Sequence, residues 1–170
     1  MAGMDMSDTT SPSAVASKVD FNDDDVMFSQ MMIPHHEQAI EMSDIALDPT
    51  VGASDVVKGL ATQIKGAQDP EISQMKKWLA DWGKSMDMGS HDMSMMEGML
   101  SADGLANLGS LRNTEFDTAW INGMIGHHEG AIKMATIVIA KGSNSQVRLL
   151  AEAVISGQQK EIDTMKALLG

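Results

Sequence analysis

The sequence predicts an all-α fold, a four-helix bundle assembled from two duplicated helical hairpins joined by a methionine-rich linker. Two observations carry this. The segment MIPHHEQAIEM, from Met32 to Met42, returns as MIGHHEGAIKM, from Met124 to Met134, identical at 8 of 11 positions at an offset of 92. Ala61, Gln68, Glu71, Ile72 and Met75 then match Ala151, Gln158, Glu161, Ile162 and Met165 at an offset of 90, so the second inter-helix turn is two residues shorter. Each half is thus a helical hairpin. Two hairpins stack as a bundle, whereas a solenoid wants three or more repeats.

Residues 1–21 are polar, rich in Ser, Thr and Asp, and are expected to form a disordered tail. Residues 22–170 are expected to form one bundle domain, with repeat 1 at 22–82, the linker at 83–110 and repeat 2 at 113–169. Asn22-Asp23-Asp24-Asp25 supplies an N-cap candidate followed by acids that complement the helix dipole. From there Phe28, Met32, His35, Ala39, Met42 and Ala46 recur at spacings of four and three, one face of a helix. Asp48-Pro49-Thr50 ends it. A second helix is expected from near Ser54 to Trp82 with Leu60, Ile64, Ala67, Ile72, Met75 and Leu79 inward, kinked or divided at Pro70. A short helix near Ala102 to Leu108 follows the linker. Thr114 is the N-cap candidate of the next long helix, with Asp117 three residues on, and Phe116, Trp120, Met124, His127, Ala131, Met134 and Val138 form its stripe. Gly142-Ser143-Asn144-Ser145 is the turn, and the last helix carries Leu150, Val154, Gln158, Glu161, Ile162 and Met165.

Composition narrows the function. A chain of 170 residues with 43% apolar and 21% charged content can build a sizeable core. Its net charge of −12 argues against nucleic acid and an anionic membrane surface, and favours cations. The absence of cysteine excludes disulfides and thiolate metal sites. Sulfur is carried instead by seventeen methionines, whose thioethers form no disulfide and hold no proton for a metal to displace, which points to an extracytoplasmic compartment. No apolar run approaches the roughly 18 residues of a membrane span. No signal-peptide pattern opens the chain, so a periplasmic or extracellular location implies an export signal or lipid anchor already removed.

The candidate chemistry lies in the repeat. Adjacent helical residues point about 100° apart, so His35 on the stripe and His36 one turn beyond Met32 bracket that methionine, and His127 and His128 bracket Met124 in the same way. Soft thioether beside imidazole is a ligand set for Cu(I). A single histidine would read as a core residue bonded to a neighbouring helix, whereas two pairs in register favour metal. Met42, Met75, Met134 and Met165 also have twins and are candidates for ligand or packing; Met27 and Met31 lack one and read as packing. Each half carries its own Met-His-His-Met set and later Met, which predicts two separate sites. Position 34 is Pro and its twin Gly126, costing about 3 and 1 kcal/mol relative to Ala in a helix interior; both a kink that aims the histidines and simple close packing fit. In the linker, Met86, Met88, His91, Met93, Met95, Met96 and Met99 sit among Gly, Ser and Asp that offer no core. Their M-x-M and H-x-M spacings suit a linear or trigonal Cu(I) site, the other reading being a protein-docking surface; Met4 and Met6 extend the cluster. Glu71 and Glu161 either hydrogen-bond a ligand histidine or pair with Lys. A di-iron centre would need Glu-x-x-His, and Ile40 and Ile132 stand where its histidines belong.

The doubled M-I-x-H-H-x-x-A-I-x-M, each followed by Q-x-x-E-I-x-x-M, resembles the domain-of-unknown-function family DUF305 over about residues 22–168. The resemblance implies a ferritin-like four-helix bundle in an exported or lipid-anchored bacterial protein, with copper bound by some members in the periplasm. It carries over Met32, His35, His36 and Met42 with Met124, His127, His128 and Met134 as candidate ligands, and Met75 and Met165 as the family's later Met. The expectation is a Cu(I)-binding, and by softness Ag(I)-binding, protein without enzymatic activity that buffers copper, confers resistance or passes the ion to another carrier or exporter. A non-metal interaction scaffold with a Met-rich docking surface, and a copper-dependent redox enzyme, are the rivals.

Overall fold

In the computed structural model, which describes residues 20–89 and 96–170, the chain forms five α-helices and a 3-10 turn. The helices are α1 (Asp23–Leu47), α2 (Asp55–Asp81), α3 (Ala102–Ser110), α4 (Asn113–Lys141) and α5 (Ser145–Leu169), with the turn at Pro49–Val51. The four long helices make the bundle; α3 is a short segment against α4. The tail expected at residues 1–21 lies almost wholly outside the described residues.

Local chemistry starts and stops these helices. Asn22 and Asp25 form a reciprocal capping box at the head of α1. Ser54, Ser101 and Asn144 cap α2, α3 and α5 through side-chain oxygens. Neither Pro34 nor Pro70 divides its helix. Two expectations need correction. Ala67 is exposed, and Gln68 takes the buried position in its place. Thr114 does not cap α4, which begins at Asn113 without a side-chain cap.

The acid expected to support Thr114 is used elsewhere. Asp117 accepts the backbone N–H of Ser54 at 3.1 Å. Its twin Asp25 accepts the N–H of Ser143 and of Asn144, each at 3.0 Å, and Asn144 is the twin of Ser54. Each hairpin therefore lends a carboxylate to the inter-helix turn of the other. The two clasps are related by the same pseudo-two-fold as the repeat.

The core falls into two apolar clusters. One gathers Ala39, Met42 and Ala46 of α1 with Phe116, Trp120 and Met124 of α4. The other gathers Val26, Phe28 and Met32 of α1 with Ala131, Met134 and Val138 of α4. Residues after His35 thus meet residues before His127, and the reverse, so α1 and α4 run antiparallel with the histidines at their crossing. Trp120 fastens this seam by donating its Nε1–H to the Met42 carbonyl at 2.9 Å. α1 packs on α2 and α4, α4 packs on α5, and α2 and α5 make little direct contact.

Asp25 is fully buried at its clasp whereas Asp117 is half-buried. Removing a buried acceptor leaves its N–H donors unpaired, at about 1–3 kcal/mol. Asp25→Ala is therefore expected to lower the unfolding free energy from urea denaturation by that amount, and Asp117→Ala by less; no loss in either would show that the clasps do not matter to stability.

Candidate metal centre

The stripe of α1 carries His35 inward and, about 100° round the helix, His36 toward α2; α4 does the same with His127 and with His128 toward α5. All four imidazoles are fully buried. The His35 and His127 rings lie 3.8 Å apart between centroids and tilted by 40°. The antiparallel crossing brings the inner histidine of each pair against the other, a juxtaposition that the expectation of two separate sites did not include.

The outer histidines are held by carboxylates. His36 Nε2 lies 2.7 Å from Glu71 Oε2, and His128 Nε2 lies 2.7 Å from Glu161 Oε2. Of the two roles open to Glu71 and Glu161, the histidine bond is the one formed. A carboxylate accepts, so each Nε2 donates its N–H and the lone pair of a neutral ring is left at Nδ1. His35 Nε2 likewise faces the carbonyl oxygen of Glu97 at 3.3 Å. Nδ1 of all four histidines, and Nε2 of His127, are buried without a hydrogen-bond partner among the described residues.

Burial decides the protonation of the inner pair. It drives the His35 pKa down from 6.5 to about 3, helped by the charge of His36 and opposed by the Glu97 carbonyl. His127 is held well below the usual histidine range, first by burial and then by His35, His128 and His36. Both rings are neutral at neutral pH, with lone pairs free.

The methionines divide by distance from this layer. Met32 and Met124 lie one turn from the histidines along α1 and α4, and Met75 and Met165 one turn beyond Glu71 and Glu161; all four are fully buried. Met42 and Met134 stand seven residues from His35 and His127, about 10 Å along the axis, and pack in the apolar clusters. Those clusters mix the repeats: Met42 shares one with Met124 and Met165, and Met134 shares the other with Met32 and Met75. Among the described residues no three His, Asp or Glu side chains converge on one point. A site here therefore needs sulfur to complete it.

The linker is not free of the core, contrary to expectation. Met96 is only 7% exposed and packs with Met32 and Met134, and Met99 and Met88 lie half-buried against the same cluster. Met86 is 58% exposed and lines a surface cleft with Met88, Pro34 and Lys76. His91, Met93 and Met95 lie outside the described residues, as do Met4 and Met6.

Residues 96–100 form a strap across the α1–α4 seam, and sequence reasoning did not foresee it. Gln38 holds Leu100 twice, donating from Nε2 to its carbonyl at 2.9 Å and accepting its N–H at 2.8 Å. Gly98 has φ +87° and passes so close that a Cβ there would sit 2.1 Å from the Gly126 carbonyl oxygen. A Cβ at Gly130 would sit 1.7 Å from the Glu97 carbonyl oxygen. Lys133 pairs with the Glu97 carboxylate at 2.6 Å. Gly98 and Gly130 are the glycines this close approach requires; at Gly126 a Cβ would meet nothing within 4 Å, so close packing does not account for glycine there. The signal was present in the repeat: its mismatches Gly126, Gly130 and Lys133 all touch the strap.

The sequence matches the family described as Domain of unknown function (DUF305) over residues 25–169. A DUF305 crystal structure from Streptomyces coelicolor, named as a candidate secreted protein, superimposes with a TM-score of 0.81 at 28% identity, covering 86% of this chain and 91% of that one. A DUF305 fragment from Deinococcus radiodurans gives 0.78 at 29% identity, over 88% and 97% of the two chains. CopM in its Cu(I)-bound form gives 0.70 at 30% identity, over 85% and 94%, and CopM is also solved bound to Cu(II) and to Ag. A curated relative, the uncharacterised protein L153 of Acanthamoeba polyphaga mimivirus, is 36% identical over 53 residues, 31% of this chain. That match spans 35% of the relative's own length. No helix among the described residues is long and apolar enough to cross a membrane. With the family match running through both hairpins, the chain belongs to the DUF305 family.

Proposed function

We propose that the protein binds Cu(I), and by the same softness Ag(I), at a centre shared by the two hairpins, and that it buffers copper or passes it on outside the cytoplasm. One observation carries this reading. Two buried imidazoles, His35 and His127, meet on the pseudo-two-fold with His36 and His128 beside them; among the described residues every Nδ1 is unpartnered and three Nε2 atoms are held by oxygen acceptors. Buried nitrogen without a partner costs about 1–3 kcal/mol, and a metal ion is the ligand that uses neutral imidazole lone pairs. Met32, Met75, Met124 and Met165 are the thioethers nearest the rings; such sulfur selects Cu(I) over harder ions. Met96 adds a candidate from the strap, and Met42 and Met134 stand further off. The other linker candidates, Met86, Met88, His91, Met93, Met95 and Met99, would capture or hand on the ion. The copper- and silver-bound forms of CopM, and the secreted designation of the Streptomyces protein, support the ion and the compartment. A copper carrier or exporter is the partner this reading implies. A Met-lined docking surface has less support, because Met96 is used in the core.

Competition against a Cu(I) chelator tests the binding; fewer than one ion per chain would end the reading. The joint variant His35→Gln, His36→Gln is expected to lose nearly all copper held by the helices, because it removes half of a single centre. A loss of half would instead mean two independent centres.

Acid stability gives a test that needs no metal. An unfolded histidine takes up its proton near pH 6.5, but folded His35 does so only near 3. Between those values the unfolded chain binds more protons, so stability falls as pH falls, by about 1.4 kcal/mol per pH unit for each such residue. The urea midpoint of the apo protein is expected to drop from pH 7 to pH 4.5, less steeply in His35→Gln. Equal slopes in the two proteins would show that His35 is not buried neutral.

A further inference from the structure

The strap closes one end of the histidine layer; the opposite end, between α2 and α5, is differently built. There a cleft of about 40 Å3 is lined by Ala67, Gln68, Glu71, Gly157, Gln158 and Glu161 with Ala153 and Val154. Six of these are three pairs of twins at the offset of 90, so the cleft lies on the pseudo-two-fold. Its volume is room for a water molecule or a small ion. Gln68 and Gln158 are 2% and 5% exposed, and Gln68 Oε1 and Nε2 and Gln158 Oε1 have no hydrogen-bond partner among the described residues. Two buried amides left unpaired in symmetric positions are costly. Neither belongs to the histidine centre itself.

The cleft leads inward in an ordered series. Glu71 and Glu161 line it and reach on to Nε2 of His36 and His128, and behind these stand His35 and His127. The lining holds two carboxylates and two amide oxygens and no cationic side chain. On the strap side, the surface cavity beside Gly98 and Gly126 is lined by Glu97, Glu129 and Lys133, with Lys133 paired to Glu97, and the strap backbone lies between it and the rings.

We propose that the α2–α5 cleft is the entry and exit gate for the metal ion, with the Gln68 and Gln158 amide oxygens as the first stopping point and Glu71 and Glu161 as the step to the histidines. The gate rests on the copper-binding reading above. Amide and carboxylate oxygens hold a soft monovalent cation weakly, so the ion pauses there and moves on to nitrogen and sulfur. Sparse contact between α2 and α5 leaves this face the one that parts with least disruption.

Small residues keep the cleft open, and a Cβ built at Gly157 meets nothing within 4 Å. The double variant Ala67→Leu, Gly157→Leu therefore fills the mouth without touching the histidines. The probe is Ag(I) as its nitrate in chloride-free buffer, with uptake by the apo protein followed by stopped-flow tryptophan fluorescence and final content by elemental analysis. The filled variant is expected to load at least tenfold more slowly and to reach the same final content. A second variant, Gln68→Leu with Gln158→Leu, nearly conserves side-chain volume and is expected to slow loading as well. Wild-type rates in both variants would overturn the gate while leaving the binding centre intact. Failure of the unmodified protein to bind Ag(I) at all would overturn the copper reading instead.

Discussion

The contact between His35 and His127 is the interaction around which the bundle is arranged. It places two neutral rings against each other in the middle of a helical core, at the crossing of α1 and α4. An ordinary core would fill that volume with apolar side chains, and each unpaired ring nitrogen costs about what one would gain from a good core contact. The cost is borne by the apolar clusters on either side, where Trp120, Phe116, Ile64 and Leu79 are fully buried. His36 and His128 are steadied in turn by Glu71 and Glu161, whose 2.7 Å bonds fix ring orientation before any ligand arrives. Polar groups in the centre and packing at both ends leave the four imidazoles oriented in advance. On the proposed function, an ion held there would stabilise the folded chain by mass action.

The strap makes the two faces of this centre unequal. From the Glu97 carbonyl at His35 to the doubly bonded Leu100 at Gln38, it seals the α1–α4 seam with backbone rather than side chains. Backbone can come this close only over glycine, and Gly98 and Gly130 supply the clearance. Met96 at its head is drawn into the core beside Met32. A segment that looks like solvent-exposed linker by composition is thus packed against His35 and the core.

Most of the bundle was legible because the histidine motif and its companion Q-x-x-E-I-x-x-M repeat at nearly constant offsets. The stripes from Phe28 to Ala46 and from Phe116 to Val138 are buried as their spacing requires. The meeting of His35 with His127 was not legible, since periodicity fixes which face of a helix turns inward but not which residue of another helix lies opposite. The same limit explains why Met42 and Met134 read as close partners of the histidines although they sit two turns away. Ala67 misled because it lies on the edge of the α2 stripe, where the larger Gln68 turns inward. Asp117 was read as part of a local cap because its partner, Ser54, is 63 residues distant.

The reciprocal clasps carry a consequence for the chain's connectivity. Asp25 reaches the turn of the second hairpin and Asp117 the turn of the first, and neither bond involves the segment that joins them. The same pairing would be satisfied by two separate copies of one hairpin, arranged as an isologous dimer. The clasps therefore tie the halves together by bonds that do not depend on covalent continuity. Freed from that duty, the connecting segment before the strap can vary in length and composition without disturbing the clasps, and selection can shape residues 96–100 for what they touch rather than for what they tie together.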